Sequence, residues 1–238
     1  MFLYEMYKTG LTTFWYWYVG KLTAIWPNIK INGHTFRVYP GVYKPLENEH
    51  TAVQFCKKED RVLDLGCGSG ITTAFAAKVA KEVVAVDISE RAIKNARENC
   101  AVLNCKNVEF KKSDMFSNVD GKFNVILSNP PYLSTDLKGD DRQFVTSVKY
   151  LPTLFSKVSE HLEDNGTLLV QFPGWFKSKL VKLANSHGLE VVSIKPMPAK
   201  SLYLSLLSLA YMQVGFRSTL FVMKKKKSAV GNDSKKVD

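Results

Sequence analysis

The stretch RVLDLGCGSG, residues 61–70, decides how the rest of the chain is read. It begins as a short apolar strand (Val62, Leu63, Leu65) and breaks into alternate glycines, Gly66, Gly68 and Gly70. A run rich in small residues over 71–80 then suits a helix. A glycine-dense turn between a buried strand and a helix lets backbone N–H groups come closer to a ligand than a Cβ would permit. Asp64 stands just before the turn. Its carboxylate would repel a pyrophosphate and welcome an ammonium group, and the spacing G-x-G-x-G departs from the G-x-G-x-x-G of dinucleotide sites. The stretch therefore reads as a small-molecule pocket.

Downstream, EVVAVD (Glu82–Asp87) reads as a second buried strand ending in an acid, about twenty residues past the glycines. A doubly wound fold places a carboxylate there to accept hydrogen bonds from ribose hydroxyls. Residues 90–103 carry Ile93, Ala96, Cys100 and Leu103 at helical spacing, expected to face the sheet. A third strand is expected over 108–111, followed by Ser113, Asp114, Met115 and Phe116. A fourth, Phe123–Ser128, ends in Asn129-Pro130-Pro131-Tyr132. The polar segment 133–143 reads as a loop over the mouth of the site, and 144–162 as largely helical until Asp164-Asn165-Gly166 interrupts. Strands over 166–172, 189–195 and 219–224 and a helix over 177–187 complete the pattern.

VLDLGCGSG resembles motif I of the class I S-adenosylmethionine (SAM) methyltransferases, and NPPY resembles the [DNS]-P-P-[YF] motif of those acting on adenine N6, cytosine N4 or glutamine amides. Val42-Tyr43-Lys44-Pro45, with Glu47, Glu49 and Thr51, is similar to the V-Y-x-P-x-E-D-[ST] segment of HemK-like glutamine methyltransferases. The resemblance covers roughly 42–224. It implies a Rossmann-like, doubly wound α/β fold with a mostly parallel seven-stranded sheet, and SAM as cofactor with S-adenosylhomocysteine (SAH) as product. Asp64, Gly66, Cys67, Gly68, Gly70, Asp87, Ile88, Asp114, Met115 and Asn129 are then expected to bind the cofactor, with Asp114 accepting from the adenine amino group. Tyr43, Glu49 and Thr51 border it.

Asn129, Pro130 and Tyr132 are the expected catalytic residues, and Pro131, Tyr132 and Tyr43 the expected substrate contacts. The chemistry accounts for these residue types. An amide or aryl amine nitrogen is a poor nucleophile because its lone pair is delocalised. The Asn129 oxygen and the Pro130 carbonyl can hold the NH2 group, consecutive prolines fix the turn, and Tyr132 offers a stacking face. The acceptor expected first is a protein glutamine of the release-factor type. Adenine N6 in RNA or DNA, a small-molecule amine or amide, and a non-catalytic SAM-binding interaction protein are the alternatives.

The 238 residues suit one α/β domain with additions at its ends. The expected organisation is an aromatic-rich extension over 1–41, a methyltransferase domain over 42–224 with an apolar insertion at 196–217, and a basic, disordered tail over 225–238. Net charge is +11, of which the six lysines and two aspartates from Lys224 onward contribute +4. A nucleic-acid partner stays open on this ground. Cys56, Cys67, Cys100 and Cys105 form no C-x-x-C pair and no secretory leader is evident, so free thiols in a cytoplasmic protein are expected. His34, His50, His161 and His187 lack metal-ligand spacing, and no metal is expected.

Two apolar stretches remain. Residues 1–30 carry Phe2, Tyr4, Tyr7, Phe14, Trp15, Tyr16, Trp17, Tyr18 and Trp26, but only twelve uncharged residues separate Lys8 from Lys21. Sixteen separate Lys200 from Arg217 in the insertion. Both fall short of the ~20 residues that cross a bilayer. The N-terminal stretch is read as a helix packing on the domain or on a second subunit, with a lid or substrate platform and a membrane-interface helix as the other readings. The insertion is read as an amphipathic or buried helix that could serve as a substrate cap, a dimer contact or a membrane-facing patch.

Overall fold

A computed structural model describes residues 2–45, 49–131, 149–197, 202, 206 and 218–226. Tyr132, residues 133–143, the first residues of the helix expected over 144–162, the basic tail beyond 226 and the insertion, apart from Pro196, Met197 and the exposed helical residues Leu202 and Leu206, lie outside them. The chain opens with helix α1 (Phe2–Ile25) and a hairpin of β1 (Asn28–Ile31) and β2 (His34–Arg37). Its turn needs positive φ at both central residues, supplied by Asn32 at 48° and Gly33 at 83°. Then follow β3 (Arg61–Leu65), α2 (Ile71–Ala77), β4 (Glu82–Asp87), α3 (Glu90–Val102), β5 (Val108–Lys112) and β6 (Phe123–Ser128). The order closes with α4 (Tyr150–His161), β7 (Leu162–Pro173), α5 (Lys177–Ser186), β8 (Leu189–Pro196) and β9 (Ser218–Lys225).

Among the described residues β3 to β9 form one sheet in the order β5-β4-β3-β6-β7-β9-β8. The pairs β3·β4, β3·β6, β4·β5 and β6·β7 are parallel, whereas β9 runs antiparallel to both β7 and β8. This is the expected mostly parallel, doubly wound sheet. The chain winds outward from β3 through β4 to β5, then returns to the other side of β3 with β6. The reversal leaves a crevice at the carboxyl ends of β3 and β6, where such sheets bind ligands.

Side chains alternate across the sheet with the strand period of two. Leu63, Leu65, Val84, Val86, Ile126, Leu168, Phe221 and Met223 join Phe155 of α4 and Leu180 of α5 in one core. Val62, Val83, Val125, Leu127, Leu169 and Val222 join Ala76 and Ala77 of α2 in another. Both faces are covered, which explains why these strands read as continuous apolar runs.

Ile93 and Ala96 of α3 pack with the sheet residue Ala85, while Cys100 and Leu103 join a cluster built by the hairpin that Val108 and Phe110 of β5 also pack against. The hairpin reaches α3 because buried Asn95 and Asn99 bond its backbone. Arg37 N–H donates to Asn99 Oδ1 at 3.0 Å, Asn95 Nδ2 donates to Arg37 O at 2.8 Å, and Tyr39 N–H donates to Asn95 Oδ1 at 2.9 Å. Asp164-Asn165-Gly166 does not precede the strand but lies within it. Pairing passes from Phe123↔Leu162 to Val125↔Thr167, so these residues form a bulge. α2 also ends at Ala77, short of residue 80.

α1 packs Val19, with Trp15, Tyr18 and Leu22 partly buried, onto the hairpin cluster, and leaves Leu11, Phe14 and Trp17 exposed. No helix among the described residues is long and apolar enough to cross a membrane. All four cysteines are free thiols.

Candidate functional site

A pocket opens at the crevice. It gathers residues from the ends of β3, β4, β5 and β6: Asp64, Gly66, Cys67 and Gly68; Asp87 and Ile88; Asp114 and Met115; and Asn129, Pro130 and Pro131. Tyr43 joins them from the segment before β3. Gly70 and Thr51 do not line it, the side chain of Glu49 is not described, and Tyr132 lies outside the described residues.

The three glycines do different work. Each has a positive φ, 76° at Gly66, 53° at Gly68 and 70° at Gly70, a region that L side chains resist. A Cβ on Gly66 would come within 3.1 Å of the Tyr150 hydroxyl. A Cβ on Gly70 would lie 2.4 Å from Ala96 Cα, so this glycine lets α2 start against α3 and packs helices instead of touching a ligand. A Cβ on Gly68 would meet nothing within 4 Å. That position keeps open space in the pocket wall.

Four of the turn's N–H groups are engaged within the protein and are not the ligand donors that its composition suggests. Those of Gly66 and Cys67 both donate to the Val86 carbonyl at 2.9 Å, and that of Gly70 to the Cys67 carbonyl at 2.8 Å. Gly68 N–H donates to Asp87 Oδ2, and Ser89 N–H to Asp87 Oδ1, each at 2.9 Å. The turn is spent on joining β3 to β4 and on orienting the Asp87 carboxylate.

The lining is acidic although the protein is basic. Among the described residues its charged members are Asp64, Asp87 and Asp114, against a net charge of +11 for the chain. Asp64 is buried and accepts from the Thr73 hydroxyl. Burial pushes its carboxyl up to about 6, against the pull of the Thr73 bond and with the charge of Asp87 adding to the rise. Burial, together with Asp87 and Asp64, also holds the Cys67 thiol well above its ordinary value, so it is no nucleophile. Such a pocket suits a ligand carrying positive charge and rejects a pyrophosphate.

On the β5 side Met115 adopts φ 54°, held by Ser113 Oγ donating to its carbonyl at 2.8 Å. Asp114 is exposed at the rim and its N–H donates to Ser117 Oγ at 3.1 Å. On the β6 side Asn129 and Pro131 are half-buried and Pro130 is buried.

Trp15, Tyr150 and Gln171 also line the pocket; none is among the expected site residues, although a lid or substrate platform is one reading of the stretch that carries Trp15. Gln171 had a signal, as a buried amide in the apolar strand β7. Tyr150 had none: it follows NPPY by eighteen residues and carries no motif. Its hydroxyl donates to the Leu65 carbonyl at 2.7 Å and therefore accepts from Ser128 Oγ at 3.0 Å. Trp15 stands among nine aromatic residues that sequence alone does not rank.

Sheet order, crevice and lining together define the Rossmann-like fold of the class I methyltransferases. The methyltransferase small domain model matches residues 48–174, and the chain belongs to that family. Among curated relatives, a Methanocaldococcus jannaschii protein with the provisional name protein N5-glutamine methyltransferase is 46% identical over 110 residues, 45% of this chain and 55% of that one. A release factor glutamine methyltransferase of Fusobacterium nucleatum is 36% identical over 193 residues, 68% of this chain and 52% of that one. The chain spans about half the length of these relatives. Among solved structures, the ribosomal protein L11 methylase of Lactobacillus delbrueckii subsp. bulgaricus superposes with a TM-score of 0.55 at 22% identity, covering 75% of this chain and 77% of that one.

Proposed function

We propose that the protein is a SAM-dependent N-methyltransferase whose acceptor is the side-chain amide of a protein glutamine. One observation carries this reading: a single pocket runs from an acidic, glycine-lined half to Asn129-Pro130-Pro131 at the end of the neighbouring strand. The names of the relatives favour glutamine over the other planar nitrogens.

SAM supplies a methyl group made electrophilic by a sulfonium, and its overall positive charge fits a lining whose charges among the described residues are all negative. Asp87, oriented by the Gly68 and Ser89 N–H groups, accepts from the ribose hydroxyls. Asp64 pairs with the ammonium, Ile88 and Met115 cover the adenine, and Asp114 accepts from its amino group. Gly68 and Cys67 complete the wall. In the other half, Asn129 Oδ1 and the Pro130 carbonyl accept the two amide N–H bonds and so turn the nitrogen lone pair toward the incoming carbon. Pro131 and Tyr43 bound the acceptor, and Tyr132 stacks on it. On transfer the nitrogen–methyl bond would form as the sulfonium–methyl bond breaks, its electron pair staying on sulfur so that SAH leaves as a neutral thioether, and the nitrogen would release one proton to solvent.

The test is incubation with methyl-labelled SAM and cell extract, followed by protease or ribonuclease. Label lost only to protease is expected. Label lost only to ribonuclease would overturn the glutamine acceptor and favour adenine, the reading to which the net charge of +11 points.

A further inference from the structure

The N-terminal helix does more than cover the domain. Trp15, half-buried on α1, lines the pocket and packs against the cluster containing Val19, Val42, Ile71 and Ala92. Of these, Val42, Ile71 and Ala92 line the same pocket. Ile71 opens α2 and Ala92 lies in the first turn of α3, the helices that follow the glycine turn and Asp87. The strands feeding them, β3 and β4, lie on one side of β6, whereas β7 with Gln171 lies on the other. The indole therefore belongs to the glycine-and-aspartate half.

α1 is fastened where it meets that wall. The Tyr16 hydroxyl lies 3.4 Å from the place a Gly41 Cβ would take, and Gly41 has φ 84°. Arg91 Nη1 donates to the Pro40 carbonyl at 3.1 Å. Lys44 is buried and donates its ammonium to the Trp26 carbonyl, one residue past the end of α1. A lysine is costly to bury without a partner, so this contact marks a built junction and not a chance apposition. Gly41, Val42, Tyr43 and Pro45, which the junction holds, all line the pocket.

We propose that Trp15 is a SAM-binding residue, its indole forming a wall over the cofactor half, so that α1 is part of the binding site. This inference rests on the reading of the pocket as a SAM site. An indole presents a large, rigid face that excludes water and loses little rotamer freedom on contact with a ligand.

Calorimetric titration of the full chain with SAM tests it. Wild type is expected to bind, Trp15→Ala to bind about tenfold or more weakly, as for a truncated aromatic anchor, and Trp17→Ala, on the solvent side of α1, to bind as wild type. Trp15→Phe keeps an aromatic ring in the cluster and covers the case in which the alanine variant does not fold. The change in tryptophan emission on adding SAM is expected in wild type and Trp17→Phe and lost in Trp15→Phe. Equal affinity of wild type and Trp15→Ala, or an emission change surviving in Trp15→Phe, overturns the inference and leaves the SAM site standing. Absence of SAM binding by wild type overturns both.

Discussion

The phenolic hydroxyl of Tyr150 donates to the main-chain carbonyl of Leu65 across 2.7 Å, tying the first residue of α4 to the last residue of β3 beneath Gly66. Ser128, at the end of β6, bonds the same hydroxyl at 3.0 Å. One phenol thus braces the two strands whose ends carry the halves of the pocket. Burial raises its pKa far above the ordinary value, so it stays a neutral donor at any working pH. Tyr150→Phe leaves the Leu65 carbonyl and the Ser128 hydroxyl against an apolar ring, at an expected cost of about 1–3 kcal/mol. A urea titration reads this directly, and an unchanged midpoint would contradict the brace.

Gly68 and Gly70 are expected to fail differently. Gly70→Ala drives a Cβ to 2.4 Å from Ala96 Cα at a φ of 70°. The overlap and the left-handed backbone together predict a loss of ~3 kcal/mol or more. Gly68→Ala meets no atom within 4 Å. It should lose only ~1–2 kcal/mol from its backbone conformation, while its methyl narrows the pocket and weakens SAM binding. Thermal melts and calorimetry on both variants separate the two roles; equal melting temperatures would refute the assignment.

Asp64 gives the site a pH dependence of definite sign. With its carboxyl raised to about 6, the folded protein holds a proton that the unfolded chain releases near 4. Its contribution to stability is therefore present at low pH and declines as pH rises through about 6. Binding of an ammonium requires the ionised form, so SAM affinity should rise over the same interval, with proton release on binding at the acid end. Titrations in buffers of different ionisation enthalpy measure that release. Asp64→Asn, which can still accept from Thr73, should lose both the release and the affinity gain.

Asn129→Ala should bind SAM nearly as wild type, because the cofactor half keeps its aspartates. Its turnover should fall about a hundredfold or more, the usual scale for removing one positioned polar group. Methyl transfer at saturating SAM is the measurement, and undiminished turnover would remove Asn129 from the chemistry.

What the sequence determined by itself was local. Asp64 to Gly70, Asp87 and Asn129 to Pro131 are legible because each lies within a few residues of a strand end, and the βα period puts successive strand ends on one edge of the sheet. Its strands were legible for the same reason, as apolar runs buried on both faces. Tertiary structure decided the rest. It assigned Gly70 to Ala96 and not to a ligand, turned the N–H groups of the glycine turn inward to Val86 and Asp87, and folded Asp164 to Gly166 into a bulge. It also brought Trp15, Tyr150 and Gln171 to the pocket from α1, α4 and β7. Packing between elements far apart in the chain leaves no spacing for a motif to display, whereas a turn between consecutive elements does.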